Sequence, residues 1–330
     1  MSVLIGTSGW NYPTGRGTWN GIFYPTRRPR GFDELAYYAE RFDTVEVNSS
    51  FYRMPEPAQT TKWIERTPAS FQFSVKLFQK FTHPDMYLAR HGIRDWDLSR
   101  ADVDLFRAGI EPLAADRRLA AVLMQFPPSF HRIDETRAYL DWLLDALSGF
   151  PLAVELRHKS WSDATGDTGA QLDHFNASWV LIDEPKFATS IDQDRPRGSI
   201  SSPHAASEPG SNLNRPPRSI CYMRLHGRNA AQWWDHAQSE DRYNYLYSAD
   251  ELEPFAEKAR AASASGRRVL LYMNNHFSAK AVANAAVLKK QLNQPLPGDY
   301  PVEMVRRYPA LAGVMTVTPD DGLMGGWMKG

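Results

Sequence analysis

Short apolar runs of strand length recur along the chain, at Val3–Ser8, Thr44–Asn48, Phe71–Lys76, Ala120–Gln125, Leu152–Arg157, Trp179–Asp183, Ile220–His226 and Val269–Asn274. Several are rich in Val, Ile, Phe and Tyr, which suit a pleated, buried surface. Between them the apolar spacing turns helical. Phe32, Leu35, Ala36 and Ala39 form one stripe. Leu140, Leu143, Leu144 and Leu147 form a second, which Asp134 is placed to cap. Ala281, Val282, Ala285, Leu288 and Leu292 form a third, opened by Ser278. Strands alternating with helices predict a parallel sheet with helices outside. Eight such units predict an α/β fold of the TIM-type (β/α)8 barrel class, with its site at the C-terminal strand ends. A doubly wound open sheet is the competing architecture. Against it, Gly6, Gly9, Gly15, Gly17 and Gly21 do not make a GxGxxG that opens a helix.

The barrel is expected to occupy residues 1–295, with residues 296–330 as an extension packed on it. Residues 186–219, rich in Pro, Ser, Gly and Arg, break the alternation. They are expected to form a long, irregular, mobile loop that replaces the helix after strand six.

The two-residue period of a strand then sorts side chains by face. Val45 and Val47 oppose Glu46 and Asn48; Phe73 and Val75 oppose Ser74 and Lys76; Val154 and Leu156 oppose Glu155 and Arg157. The same alternation selects Asp183 over its neighbour Glu184, and sets Arg224 and His226 against Met223 and Leu225. In a barrel the apolar face meets the helices and the other points inward. Ser8, Glu46, Asn48, Lys76, Gln125, Glu155, Arg157, Asp183, Arg224, His226 and Asn274 are therefore expected to converge on one mouth. The bland alternative is a buried network of three acids and three bases. Burying ions is costly and rarely stabilises on net, so a functional site is the stronger expectation.

Composition narrows the classes. Apolar residues make up 42% of the 330 positions, enough for a packed core. The 38 basic and 38 acidic residues cancel, leaving no global field to draw in nucleic acid or an anionic membrane. The one cysteine, Cys221, excludes an internal disulfide, suits a reducing compartment and sits in an apolar run as a buried thiol. Met1–Trp10 has no basic start and no long apolar core, so no signal peptide is expected there, and no apolar run approaches about 20 residues. A soluble, cytoplasmic protein is expected.

Ordered motifs carry a resemblance. GTSGW at Gly6–Trp10, WNGIFYP at Trp19–Pro25, TVEVNSSFYRMP at Thr44–Pro55 and FSVK at Phe73–Lys76 come first. QFPPSF at Gln125–Phe130, VELRHKSW at Val154–Trp161, YMRLHGR at Tyr222–Arg228 and YMNNH at Tyr272–His276 follow. Together they resemble the YecE-like family, the domain of unknown function numbered 72, from about Val3 to Leu292. The resemblance implies a TIM-type barrel and brings no established reaction. The 186–219 segment and the tail depart from it.

Chemistry must come from the residues. Arg157 and Arg224 suit bidentate contact with phosphate or carboxylate, with Lys76 beside them. The helix opening near Ser278, after His276, would turn its N-terminal amides toward the mouth. A small anion is thus the expected partner, and a hydrolase or lyase the expected activity. Glu46, Glu155, Asp183 and His226 are the acid–base candidates. Ser8, Trp10, Asn48, Lys76, Gln125, Arg157, Arg224, Asn274 and His276 are the substrate-binding ones. Trp10 could stack on substrate or seal the barrel, and Phe23 and Tyr24 are expected as a plug at one end; the tandem Trp233-Trp234 could form a lid over the mouth, with packing of a surface helix the stronger expectation. No residue is assigned as a metal ligand. A divalent metal is a weaker expectation, resting only on how Glu155, Asp183 and His226 resemble the carboxylate/His centres of endonuclease IV-like and sugar-isomerase barrels. A nucleic-acid phosphodiesterase is the second reading, helped by Arg195, Arg197, Arg215 and Arg218 and opposed by neutral charge. A non-catalytic anion- or partner-binding protein is the third.

Overall fold

The alternation resolves into a single parallel sheet in a computed structural model that describes residues 3–92, 98–193 and 220–318. Its strands are β1 (Val3–Ser8), β2 (Thr44–Val47), β3 (Gln72–Lys76), β4 (Leu119–Gln125), β5 (Leu152–Glu155), β6 (Ser178–Trp179), β7 (Leu181–Asp183), β8 (Ile220–Leu225) and β9 (Arg268–Met273). They lie in the order β6-β5-β4-β3-β2-β1-β9-β8-β7. The outer two are consecutive pieces of one segment: β6 pairs with β5, and β7 with β8. Residues 178–183 therefore join both edges, and the sheet is a nearly closed (β/α)8-type barrel.

The sixth strand was expected to be continuous, and it is not. At Ile182 the backbone N–H finds the Gln193 side-chain oxygen at 2.9 Å, while the Gln193 amide donates to the Val180 carbonyl at 2.7 Å. One side chain thus stands in for a neighbouring strand where the segment crosses from β5 to β8. Gln193 belongs to the expected loop, and Lys186–Gln193 is anchored: Ile191 is fully buried, and the Lys159 N–H donates to the Thr189 carbonyl at 2.8 Å. The remainder, 194–219, lies outside the described residues.

Face assignment follows the alternation in β2 and β3. Val45, Val47, Phe73 and Val75 are fully buried on the wall's outer face. On the inner face the Tyr272 hydroxyl meets Thr44 Oγ1 at 2.6 Å and Ser74 Oγ at 2.8 Å, a polar layer one step below the charged residues.

The helical stripes form as expected in register, with differences at their starts. Helix Asp134–Ala146 buries Leu140, Leu143 and Leu144, but Asp134 sits in its first turn. Thr136 Oγ1 accepts from the Ile133 N–H there at 3.1 Å. The third helix runs Lys280–Gln291, two residues later than Ser278 predicted, because Ser278 and Ala279 both take left-handed φ values, 53° and 62°. The extension carries a small parallel pair, β10 (Asp299–Pro301) and β11 (Thr316–Thr318). Phe23 and Tyr24 do not plug a barrel end: the Phe23 ring lies among Tyr37, Tyr38 and Tyr300, joining helix Glu34–Ala39 to the extension. Among the described residues no helix is long and apolar enough to cross a membrane.

Gly6 marks the tightest point of the wall. A Cβ added there would lie 2.0 Å from the Thr44 carbonyl oxygen on β2. Gly6→Ala should cost about 3 kcal/mol by forcing β1 and β2 apart. Urea unfolding checks this, and an unchanged midpoint would show that the strands can part freely.

Candidate active site

Arg224, pointing inward from β8, organises the centre of the barrel. Its Nε donates to Glu46 Oε2 at 2.9 Å and its Nη2 to Glu46 Oε1 at 2.7 Å, a bidentate fork. Its Nη1 reaches Glu155 Oε2 at 2.5 Å and Gln125 Oε1 at 3.2 Å. The Tyr222 hydroxyl adds a bond to Glu46 Oε2 at 2.7 Å. Glu46, Glu155 and Arg224 are all essentially inaccessible. Arg224 was expected to hold a ligand; its donors are instead occupied by the protein, and it acts as the strut of the site.

The second guanidinium stands higher. Arg157 Nε donates to Glu155 Oε1 at 2.8 Å, and Arg157 Nη1 lies 3.3 Å from Glu184 Oε2. Its side chain keeps 13% exposure, so solvent reaches it where Arg224 is sealed. Between the two arginines sits His226. Asn274 Nδ2 donates to its Nδ1 at 2.7 Å, and its Nε2 lies 3.6 Å from Glu155 Oε1. That last distance is too long for a full hydrogen bond.

Electrostatics separates these groups. Burial pushes Glu155 up, but Arg224 and Arg157 outweigh it and hold the carboxyl well below its usual range. Burial raises Glu184, with Arg157 opposing and the Glu155 charge reinforcing. Burial brings His226 down to about 3, so its imidazole is neutral. Lys76, half-buried at the end of β3, is lowered to about 7 by burial and then by the Arg224 charge. Its ammonium lies 4.0 Å from the centre of the Phe51 ring.

The rim is aromatic. The Tyr12 hydroxyl bonds to the Ser8 carbonyl, and its ring stacks on His276 at 4.3 Å. Tyr243 covers His276 from another side at 4.8 Å, and Trp233 stands edge-on to His226 at 6.4 Å. Trp233 is thus part of a roof over the centre. Gly9 makes the rim possible: it turns with φ 87°, and a Cβ there would meet the Tyr12 hydroxyl at 2.8 Å. Ser8 Oγ, Asn48 Oδ1 and Glu184 Oε2 are buried without a hydrogen-bond partner.

Glu46, Gln125, Glu155, Arg157, Arg224, His226 and Asn274 are therefore bonded together as expected, with Lys76, Ser8, Asn48 and His276 around them. Two expected residues are elsewhere. Asp183 turns away from the ring, to Arg228 at 2.9 Å and the Tyr247 hydroxyl at 2.6 Å, because the break in strand six alters the alternation. Glu184 takes its place. Trp10 packs edge-on to Trp63 at 6.0 Å and belongs to the wall. The helix start beyond Ser278 also fails to address the ring. Ser278 instead lines a separate cleft of about 780 Å³ beside Arg16, Arg306 and Asp299. The metal expectation fares no better, since Glu155 is taken by arginines and Asp183 is absent. Among the described residues no three His, Cys, Asp or Glu side chains are grouped to hold an ion.

Sequence reasoning missed Glu184, Tyr243 and His83. His83 packs edge-on against Phe51 at 4.9 Å and is lowered to about 3 by burial and then by Lys76. Nothing in the strand pattern marks it, because it lies in the turn after a four-residue helix, Gln79–Thr82.

Fold and centre define a TIM-type barrel protein with a charged, aromatic-rimmed mouth. The chain belongs to the family described as protein of unknown function DUF72, whose sequence profile matches residues 4–303. It is 27% identical to the UPF0759 protein YunF of Bacillus subtilis, over 92% of this chain and 99% of that one. A DUF72 family protein from Thermotoga maritima superposes with a TM-score of 0.68 at 29% identity, covering 89% of this chain and all of that one. One from Enterococcus faecalis reaches 0.70 at 21% identity, over 91% of this chain and all of that one, a likeness of fold alone.

Removing Arg224 leaves two buried carboxylates facing each other. Arg224→Met should destabilise the protein by about 3–5 kcal/mol, measured by chemical denaturation. Acid should act through the buried histidines, His226 among them. The unfolded histidine binds a proton below its ordinary 6.5 and the folded one only near 3, so the unfolded state carries more protons in that window. Stability therefore falls as pH drops from 6.5 toward 3, by up to about 1.4 kcal/mol per pH unit for this group. Denaturation at pH 7 and pH 4.5 checks the sign, and His226→Asn should make the slope shallower by one proton's share, leaving the shares of His83 and His276, which burial also brings down to about 3.

Proposed function

We propose that this protein is an enzyme of the hydrolase or lyase type that takes a small phosphorylated or otherwise anionic substrate at the C-terminal mouth of its barrel. The observation that carries the reading is Lys76. Among the described residues no carboxylate pairs with it, although it stands in a ring where Arg157 and Arg224 are each held by two. A desolvated cation without a partner is costly, and an anion docked between Lys76 and the accessible edge of Arg157 supplies the missing charge. The unpartnered Ser8 Oγ and Asn48 Oδ1 sit at the neighbouring strand ends.

The acid–base work falls to Glu184. Its raised pKa and an Oε2 that takes no hydrogen bond, only the Arg157 charge at 3.3 Å, suit a carboxyl that donates and recovers a proton. Glu46, Glu155 and His226 become positioning groups, since they hold the two arginines and have no free face. Asp183 has no part. Nucleic acid is the weaker reading, because Arg195, Arg197, Arg215 and Arg218 lie outside the described residues.

Inorganic phosphate, titrated by calorimetry and thermal shift, is the simplest probe. Lys76→Met should weaken it about tenfold or more, roughly the value of one charge-assisted hydrogen bond, without lowering the unliganded melting temperature. Equal affinity in the variant would sink the anion site. In a screen of phosphate esters and oxo acids, Glu184→Gln should lower kcat about 100-fold while phosphate still binds.

A further inference from the structure

We propose that Lys76 is a nucleophile that condenses with the carbonyl carbon of an anionic aldehyde or ketone, so that the protein works through a lysine imine. The inference rests on the anion-binding reading above and names its substrate class: a small oxo compound bearing a phosphate or carboxylate.

The cluster around the amine supports it. Lys76 ends β3, its backbone carbonyl held by the Ser50 hydroxyl at 2.6 Å, so the side chain rises from a fixed point. Phe51 covers the ammonium on one side at 4.0 Å. Arg157, Arg224, Glu46 and Glu155 bear on it electrostatically from β2, β5 and β8, and His83 approaches from the turn after Thr82. Every carboxylate of that set is already bonded to an arginine, so none is left to lock the amine as a salt bridge. Desolvation and like charge both favour the uncharged amine, which alone is nucleophilic. Its lowering to about 7 agrees, and leaves a large neutral fraction where an ordinary lysine has almost none.

The step balances without an added oxidant or reductant. The Lys76 nitrogen lone pair forms a bond to the carbonyl carbon while the C=O π pair moves onto oxygen. A proton passes from nitrogen to that oxygen through the neutral His83 imidazole, which is anchored by Thr82 Oγ1 at 2.9 Å. A second proton from nitrogen completes a water molecule as the C–O bond breaks, leaving C=N. Arg157 holds the substrate's anionic group meanwhile, and the imine, once it takes a proton from solvent onto nitrogen, withdraws electrons from the adjacent carbon, the requirement of a lyase.

Pyridoxal 5′-phosphate joins an aldehyde to a phosphate and serves as the probe. The full chain is treated at pH 7 with one equivalent, reduced with sodium borohydride, digested and mapped by mass spectrometry. The expected result is a reduced adduct on Lys76 at tenfold or greater occupancy over the exposed Lys62. Inorganic phosphate should protect, and Arg157→Met should cut Lys76 labelling at least fivefold. In Lys76→Arg the adduct should vanish while circular dichroism stays unchanged. Labelling of Lys76 no faster than Lys62 overturns the imine. If phosphate binding still depends on Lys76 and Arg157, the anion site survives that failure. Selective labelling that phosphate does not protect and that pyridoxal matches overturns the anion reading, and with it the substrate class.

Discussion

The clamp of Arg224 between Glu46 and Glu155 is the constraint on which this barrel turns. Two carboxylates projecting inward from β2 and β5 cannot both stay charged in a sealed interior without a cation between them. A guanidinium can meet both because its donors are spread around a rigid plane; an ammonium would meet them only as a point charge. The fork on Glu46 uses Nε and Nη2, which leaves Nη1 to face Glu155 and Gln125. Tyr222, two residues earlier on β8, reaches the same carboxylate from the layer below. Four strands are thereby tied at one depth. Such a network seldom adds net stability over a hydrocarbon core, which is why its presence points to a purpose other than stability.

What the clamp achieves is a division of the barrel into two tiers. The lower tier neutralises itself: Glu46 and part of Glu155 balance Arg224. Glu155 then has one oxygen left, which orients Arg157 from the same strand two residues on. Arg157 is thus preorganised from beneath while one edge stays wet, the arrangement expected of a group that must meet a ligand without reorganising. Lys76 stands in the same ring, and among the described residues no carboxylate pairs with it. The tiers differ in accessibility: Arg224 and His226 are sealed, with Trp233 edge-on to His226, while Arg157 and Lys76 keep partial exposure.

Most of this architecture was legible in the sequence, because alternation in a parallel barrel strand is a strong signal. Val45 and Val47 against Glu46, or Met223 against Arg224, can be sorted by period alone. The method failed where its premise failed. Between Val180 and Ile182 the chain leaves one neighbour for another, and a side chain, Gln193, takes over the backbone bonds. Phase across that crossing is not conserved, so Asp183 and Glu184 exchange roles. Pairing was equally invisible: the pattern delivered three cations to one mouth and could not tell that Arg224 would be consumed while Lys76 would stand alone. Residues supplied by turns, His83 and Tyr243, carry no period at all. Tyr12, in the loop after β1, lies outside any strand and carries no period either.

The neighbouring carboxylates of Arg157 show how one guanidinium can assign two functions. Glu155 receives Arg157 and Arg224 together, and that double charge overcomes the cost of burial. Glu184 meets Arg157 at 3.3 Å without hydrogen-bond geometry and feels Lys186 and Arg224 more weakly, while the fixed negative charge of Glu155 opposes them. Burial is nearly the same for both, so the difference lies in how closely the cations pair, at 2.5 and 2.6 Å on Glu155 against 3.3 Å on Glu184, and in the carboxylate beside Glu184. One acid is kept ionised and the other is moved toward holding a proton. Titratable groups whose surroundings drive their affinities apart mark an acid–base pair. Here the divergence depends on Glu155 being charged, and that depends on Arg224, whose own charge also reaches Glu184: loosening the clamp would disturb both carboxyls at once. The deepest ion pair in the barrel thus sets the protonation of a carboxyl it does not touch.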